Sequence, residues 1–152
     1  IVHRLVGSEM CIRDSPIAGK GLWSTIYGYI ALNPDTDSVL GIQFYKHGET
    51  PGLGGEVEKK WFTDNFVNHP IEQPGGEIQY VPKRIRDESG KIISIKVVKG
   101  GVDYSKSNNA SIHQVDGISG ATVTADGVTD FLLEDLLRYE KTLDKIRDYG
   151  TI

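Results

Sequence analysis

The run Asp116-Gly117-Ile118-Ser119-Gly120-Ala121-Thr122-Val123-Thr124 lies directly before the longest helical pattern in the chain. Gly117 and Gly120 permit a tight backbone turn, and hydroxyl side chains stand where the first N–H groups of a helix lack acceptors. Such a helix start attracts phosphate, because these N–H groups point outward and the macrodipole adds about half a positive charge. The simpler alternative is a glycine turn with a Ser/Thr cap and no ligand.

The periodicity of the rest of the chain predicts an α+β domain. Residues 22–32 and 39–45 alternate with aromatic and β-branched side chains, which is typical of an antiparallel hairpin. We expect further strands at 78–81 and 91–99, a short helix at 56–67, loops at 16–21, 68–77 and 102–110, and a helix from about 124 to 149. The prediction is therefore one domain, with a mostly antiparallel sheet packed with helices and a long C-terminal helix.

The composition favours a single acidic domain without a metal. At 152 residues the chain has the size for one hydrophobic core, and it lacks a run of about eighteen apolar residues that could span a bilayer. The net charge of −4 argues against a nucleic-acid surface, which needs a basic stripe. Cys11 is the only cysteine, which excludes an intramolecular disulfide, and the four histidines lack the spacing of metal ligands. We expect no nucleic-acid partner and no metal.

A second glycine-rich segment, His-Gly-Glu-Thr-Pro-Gly-Leu-Gly-Gly at 47–55, is too rich in glycine and proline for a regular element. Its four glycines around Leu53 would let a flat ring approach the backbone, with Glu49 and Thr50 able to bond the ring edges. The alternative is a plain loop between a strand and a helix. The sequence leaves both interpretations open.

Residues 1–15 differ from the rest of the chain. They contain the only cysteine and the only methionine, and they show no sustained hydrophobic period. The string at 5–15 resembles translated adapter sequence, and the alternative is a disordered or docking arm. We therefore assign the domain to residues 16–152 and treat residues 1–15 as a separate segment outside it.

Three separated segments, 19–24, 47–55 and 116–124, together resemble the FMN-binding domain family, in particular the C subunit (NqrC) of the Na⁺-translocating NADH:quinone oxidoreductase. The related G subunit of the Rnf electron-transport complex shares the Ser-Gly-Ala-Thr and Glu-Thr-Pro-Gly-Leu-Gly motifs. The Gly-Leu-Trp segment and the Val-Val-Lys-Gly-Gly run at 97–101 favour NqrC.

The resemblance implies a covalently held FMN. In the family a flavin transferase esterifies the last threonine of the motif with the phosphate of FMN, so Thr122 would be the attachment point, and no catalytic residue is expected. Carried onto matching positions, the resemblance places Ser119, Gly120, Ala121 and Thr124 around the phosphate, Glu49, Thr50 and Leu53 along the isoalloxazine, Trp23 near the ring system, and Lys99 as a weaker polar contact.

The resemblance also implies a function. The expected role is an electron-transfer flavoprotein subunit, working with the other subunits of a complex that oxidises NADH, reduces ubiquinone and pumps Na⁺. Relatives carry an N-terminal membrane helix that this sequence does not contain, and they hold the soluble domain on the periplasmic side of the bacterial inner membrane. One alternative is the Rnf G subunit, with the same FMN domain. A more distant alternative is a non-redox ligand-binding domain.

Overall fold

The largest unit of the fold is a four-stranded antiparallel sheet with the strand order β1-β2-β3-β4. The computed structural model describes the backbone at residues 3–6, 10–104 and 109–149, and the side chains at 14–104 and 111–149. The strands of the sheet are β1 (His3–Val6), β2 (Met10–Lys20), β3 (Thr25–Leu32) and β4 (Val39–Lys46). β2 runs across the expected boundary between residues 15 and 16, and the separate origin of residues 1–15 stays a prediction.

Short elements fill the chain between β4 and the last helix. They are 3₁₀ turns at Gly54–Glu58, Asp64–Phe66 and Asn109–His113, α1 (Lys60–Thr63), the antiparallel pair β5 (His69–Glu72) and β6 (Ile78–Val81), and the parallel pair β7 (Lys96–Val98) and β8 (Gln114–Asp116). Because β7 and β8 are parallel, the segments that follow them leave from the same edge. Residues 99–101 therefore lie beside the glycine turn at 117–120.

The last helix, α2 (Thr122–Tyr149), packs against β2 and β7 and contributes much of the core. Its buried apolar residues include Val128, Phe131, Leu132, Leu136 and Leu143, which meet Ile17, Ile26, Ile30 and Phe44 of the sheet in one cluster. Two polar contacts also join α2 to β2. The Ala18 N–H donates to Asp135 Oδ2 at 2.8 Å, and the Tyr139 hydroxyl donates to the Pro16 carbonyl at 2.8 Å.

Glycine permits the close approach of α2 to β2. A Cβ on Gly127 would lie 2.3 Å from the carbonyl oxygen of Lys20, and a Cβ on Gly19 would lie 2.1 Å from Phe131 Cβ. No side chain larger than hydrogen fits at either position without a shift of the helix. This contact sets the distance between α2 and the sheet. It thereby also sets the position of Thr122 at the start of the helix.

The expected α+β class, the antiparallel sheet and the long C-terminal helix are confirmed, but several boundaries were wrong. The helix expected at 56–67 is broken, because Lys59 is extended with φ −76° and ψ 143°. The strand expected at 91–99 is reduced to β7, because Ser94 takes a positive φ of 65°. Part of the loop expected at 68–77 forms β5, and residues 16–20 of the loop expected at 16–21 belong to β2.

A buried lysine, Lys83, and a buried histidine, His69, contact each other. Lys83 Nζ lies 3.0 Å from His69 Nδ1 and donates to the Ser111 carbonyl at 3.0 Å. Burial, with help from the Lys83 charge, lowers the pKa of His69 to about 4, and burial lowers the pKa of Lys83 to about 8. His69 is therefore neutral at pH 7, and its Nδ1 accepts a hydrogen bond from the Lys83 ammonium group.

Gly127→Ala is expected to destabilise the domain, although alanine favours a helix over glycine by about 1 kcal/mol. The new methyl carbon would meet the Lys20 backbone, which cannot rotate away. We expect urea unfolding to report a net loss of about 1–3 kcal/mol. Gly41→Ala is the matched control, because its Cβ would have no atom within 4 Å. A Gly127→Ala protein as stable as this control would contradict the packing.

His69 is expected to make the domain less stable in mild acid. Its pKa is about 4 when folded and about 6.5 when unfolded, so between these values the unfolded chain binds the extra proton. The free energy of unfolding should fall as the pH falls through this window. In thermal melts at pH 7 and pH 5, His69→Asn, which keeps an acceptor but does not titrate, should lose less stability than the wild type. Equal losses of stability in His69→Asn and the wild type would refute the assignment of this pH dependence to His69.

Candidate functional site

Thr122 is the first residue of α2 and is exposed at its start. The turn before it is closed by the Ala121 N–H, which donates to the Ile118 carbonyl at 3.1 Å, and by Gly120, whose φ of 75° favours glycine. Ala121 is buried beneath the turn, at 5% exposure. Within the motif, Ala121 therefore faces the interior and the Thr122 hydroxyl faces outward.

A cavity of about 450 Å³ lies beside this turn, which is within the usual range for small-molecule sites. It is lined by residues 99–101 after β7 and by residues 116–120, which begin with the last residue of β8, together with the first turn of α2. Of the residues expected at the site, four line the cavity: Lys99, Ser119, Gly120 and Thr122. The parallel pairing of β7 and β8 brings these distant segments together.

Unpaired backbone donors mark the start of α2. Within the described part of the chain, the N–H groups of Thr122, Val123 and Thr124 have no hydrogen-bond acceptor, and the Thr122 hydroxyl has no partner. Among the residues that the structure describes, the cavity lining carries one cation, Lys99, and two carboxylates, Asp116 and Asp126. Its side chains alone are therefore not cationic, and the attraction for an anion comes from the helix start.

Asp116 shapes the cavity wall, a role that was not expected from the sequence. Its Oδ1 accepts a hydrogen bond from the Val102 N–H at 2.7 Å, which holds the segment after β7 against the motif. The Gly117 N–H donates to the Val98 carbonyl at 2.8 Å, and a Cβ on Gly117 would lie 2.6 Å from that oxygen. The first two residues of the motif therefore help to build the cavity wall.

The second glycine-rich segment contacts the motif, as the ring hypothesis requires. Leu53 Cδ2 would lie 3.0 Å from a Cβ placed on Gly120, so the two segments touch at these residues. The Thr50 carbonyl closes the turn by accepting from the Leu53 N–H at 3.1 Å and the Gly55 N–H at 2.9 Å. Thr50 and Leu53 are both exposed, and Leu53 remains free on the side away from Gly120.

Glu49 and Thr124 form a buried pair. Both are buried, at 5% and 2% exposure, neither lines the cavity, and the Thr124 hydroxyl donates to Glu49 Oε1 at 3.0 Å. Burial alone would raise the pKa of Glu49, but hydrogen bonds from the Trp23 and Leu22 N–H groups, and from the Thr124 and Ser24 hydroxyls, outweigh burial and lower the pKa. Glu49 is thus an ionised residue in a shell of donors.

The segments around Thr122 carry exposed apolar side chains. Leu22 and Trp23, in the loop after β2, are 45% and 71% exposed, and Leu53 and Val123 are 43% and 54% exposed. Large apolar side chains in such exposed positions commonly belong to a binding surface. Trp23, expected near a ring system, is thus available, but it does not line the cavity.

Asp126 is a further cavity residue missed from the sequence. It follows Thr122 by four positions, so both lie on the same face of α2, and it could have been found from that spacing. The Asp116 contact with Val102 could not have been found from the sequence, because it joins segments fourteen residues apart through a parallel strand pair.

Comparison with known proteins identifies a family. The family described as the FMN-binding domain matches residues 21–134, which is most of the chain. The C subunit of the Na⁺-translocating NADH-quinone reductase of Vibrio vulnificus is 43% identical over 138 residues, covering 89% of this chain and 46% of that protein. The same subunit of Pseudomonas aeruginosa is 42% identical over 118 residues, covering 77% of this chain and 38% of that protein. The chain thus spans less than half the length of these relatives.

Solved structures agree with the sequence relatives. The C subunit of the reductase from Parabacteroides distasonis has a TM-score of 0.68 and 34% identity, covering 88% of this chain and 57% of that one. NqrC of Shewanella oneidensis has a TM-score of 0.64 and 33% identity, covering 90% and 55%. The chain therefore belongs to the FMN-binding domain family, and the relatives that it resembles are the C subunits of Na⁺-translocating NADH-quinone reductases.

Proposed function

We propose that this domain holds FMN as a phosphoester on Thr122 and serves as an electron carrier. The observation that carries the proposal is the exposed Thr122 hydroxyl, which lies beside a cavity of about 450 Å³, at a helix start where three N–H groups have no acceptor among the described residues. The family match supports FMN as the phosphate-bearing ligand. A flat ring would find apolar side chains close by.

The chemistry of Thr122 supports attachment by a separate enzyme. Its hydroxyl has no hydrogen-bond partner among the described residues, and hence no base to activate it as a nucleophile. A flavin transferase would supply that activation, and the exposure of Thr122 would give it access. Thr122 is therefore proposed as an attachment point and not as a catalytic residue.

The surrounding residues would position the cofactor. The N–H groups of Thr122 and Val123 would donate to the phosphate, as helix starts do for bound anions. Leu53 and Trp23 offer apolar area for the isoalloxazine, and Lys99 offers a cation in the cavity. The flavin itself supplies the electron chemistry, while the protein sets its orientation and electrostatic surroundings.

We further propose that the chain works as part of a Na⁺-translocating NADH-quinone reductase. The names and identities of the relatives support this assignment over the Rnf alternative. Its partners would be the other subunits of that complex, at the periplasmic side of the bacterial inner membrane. In the described part of the chain, no helix has the length and apolarity needed to cross a bilayer.

Thr122→Val is expected to abolish covalent flavin, because valine has the shape of threonine without the hydroxyl. The domain should be produced together with a flavin transferase and analysed by intact mass, peptide mapping and visible absorbance. The wild type should gain one FMN phosphoester on the peptide that contains Thr122.

Thr142→Val is the matched control, because it makes the same change at an exposed position near the other end of α2. It should be flavinylated like the wild type. Covalent flavin on Thr122→Val, or attachment on another peptide of the wild type, would refute the assignment of the site.

A further inference from the structure

We propose that Glu49 and Thr124 act as a positioning pair, which reserves the start of α2 for the phosphate and holds the Leu22–Trp23 loop beside it. This inference rests on the proposed function, because it assigns roles toward the bound FMN. Neither residue touches the cofactor in this account. Both act through the backbone segments that they join.

The pair joins three segments that are far apart in the sequence. Glu49 Oε1 accepts from the Leu22 N–H at 2.6 Å and from the Thr124 hydroxyl at 3.0 Å, while Oε2 accepts from the Trp23 N–H at 2.9 Å. The Ser24 hydroxyl adds a longer contact to Oε2 at 3.3 Å. One carboxylate therefore connects the loop after β2, the second glycine-rich segment and the first turn of α2.

The glycines around the pair leave room for this contact and for nothing larger. A Cβ on Gly21 would lie 2.1 Å from Glu49 Oε1, and a Cβ on Gly54 would lie 2.4 Å from Thr124 Oγ1. These two glycines come from two of the three segments that the carboxylate connects, the loop after β2 and the second glycine-rich segment. At Gly21 and Gly54, the close approach of the pair therefore explains why no side chain larger than hydrogen fits.

The carboxylate also decides where a phosphate can bind. Two consecutive N–H groups in a glycine-containing loop, such as those of Leu22 and Trp23, are typical donors for an anion. Here Glu49 already occupies both donors. The N–H groups at the start of α2 remain unpaired within the described part of the chain. Because the Glu49 carboxylate already fills the loop site, the start of α2 beside Thr122 is left as the place where a phosphate can bind.

Positioning predicts a specific effect for the loss of the Thr124 hydroxyl. The buried carboxylate would keep its backbone donors but lose its link to α2, so the loop with Leu22 and Trp23 would open more often. A hydrogen bond to a charged group is strong enough for the opening equilibrium to change roughly tenfold or more. Thr124→Ser keeps the hydroxyl and should restore the link.

The test uses Thr124→Val with Thr124→Ser as its conservative partner. Amide hydrogen exchange of Leu22 and Trp23 in the unflavinylated domain should speed up roughly tenfold or more in Thr124→Val and stay near the wild-type rate in Thr124→Ser. After maturation with a flavin transferase, Thr124→Val should carry less flavin on Thr122 than Thr124→Ser. Circular dichroism should show the same fold in both.

Wild-type exchange and flavin content in Thr124→Val would overturn the proposal, and so would a Thr124→Ser protein as impaired as Thr124→Val. If Thr124→Val does not fold, Glu49→Gln decides in the same way, because at unchanged volume its amide oxygen can accept from only one of the Leu22 and Trp23 N–H groups, while its NH₂ group places a donor against the other. A wild-type domain that acquires no flavin would refute the proposed function. The exchange rates would still test the pair separately.

Discussion

A single buried carboxylate, that of Glu49, connects the segments from which the site is built. A buried charge is costly unless it is fully hydrogen-bonded, so its donors from Leu22, Trp23, Ser24 and Thr124 have to stay in place. The strong donors explain why its pKa is lowered despite burial. The loop after β2 and the start of α2 are thereby held together, although they are about a hundred residues apart.

The second constraint is the short distance between α2 and the sheet. Gly127 and Gly19 bring the helix close to β2, and Asp135 and Tyr139 bond to the backbone of that strand. In the parallel pair β7–β8, β8 leads directly into the glycine turn before α2. The pairing also places residues 99–101, which follow β7, beside this turn. Thr122 owes its exposed position to this packing, and its unpaired N–H neighbours follow from the geometry of any helix start.

The sequence predicts the parts of the site that depend on local geometry. Gly120 takes the positive φ that a turn into α2 requires, and Thr122 comes out exposed, as expected from the motif. The sequence also shows that Glu49 and Thr124 can form hydrogen bonds, but it does not show with whom. In the structure the two residues bond to each other, and this pairing depends on tertiary packing.

The misplaced boundaries have similar causes. Pro16 and Gly19 look like a loop, yet both lie in β2, where Gly19 makes room for Phe131 and Pro16 accepts from Tyr139. The alternation at 91–99 suggests a full strand, but Ser94 takes a left-handed conformation while its N–H and that of Ile93 both donate to the Ile85 carbonyl. Such contacts join residues that are distant in the sequence, so the hydrophobic periodicity of a segment does not predict them.

The most direct measurement is a crystal structure of the domain after maturation with a flavin transferase. The account predicts a phosphate bonded to Thr122 Oγ1 and within hydrogen-bond distance of the N–H groups at the start of α2, with Glu49 still bonded to Leu22, Trp23 and Thr124. A phosphate seated on the Leu22 and Trp23 N–H groups, with Glu49 displaced, would contradict it.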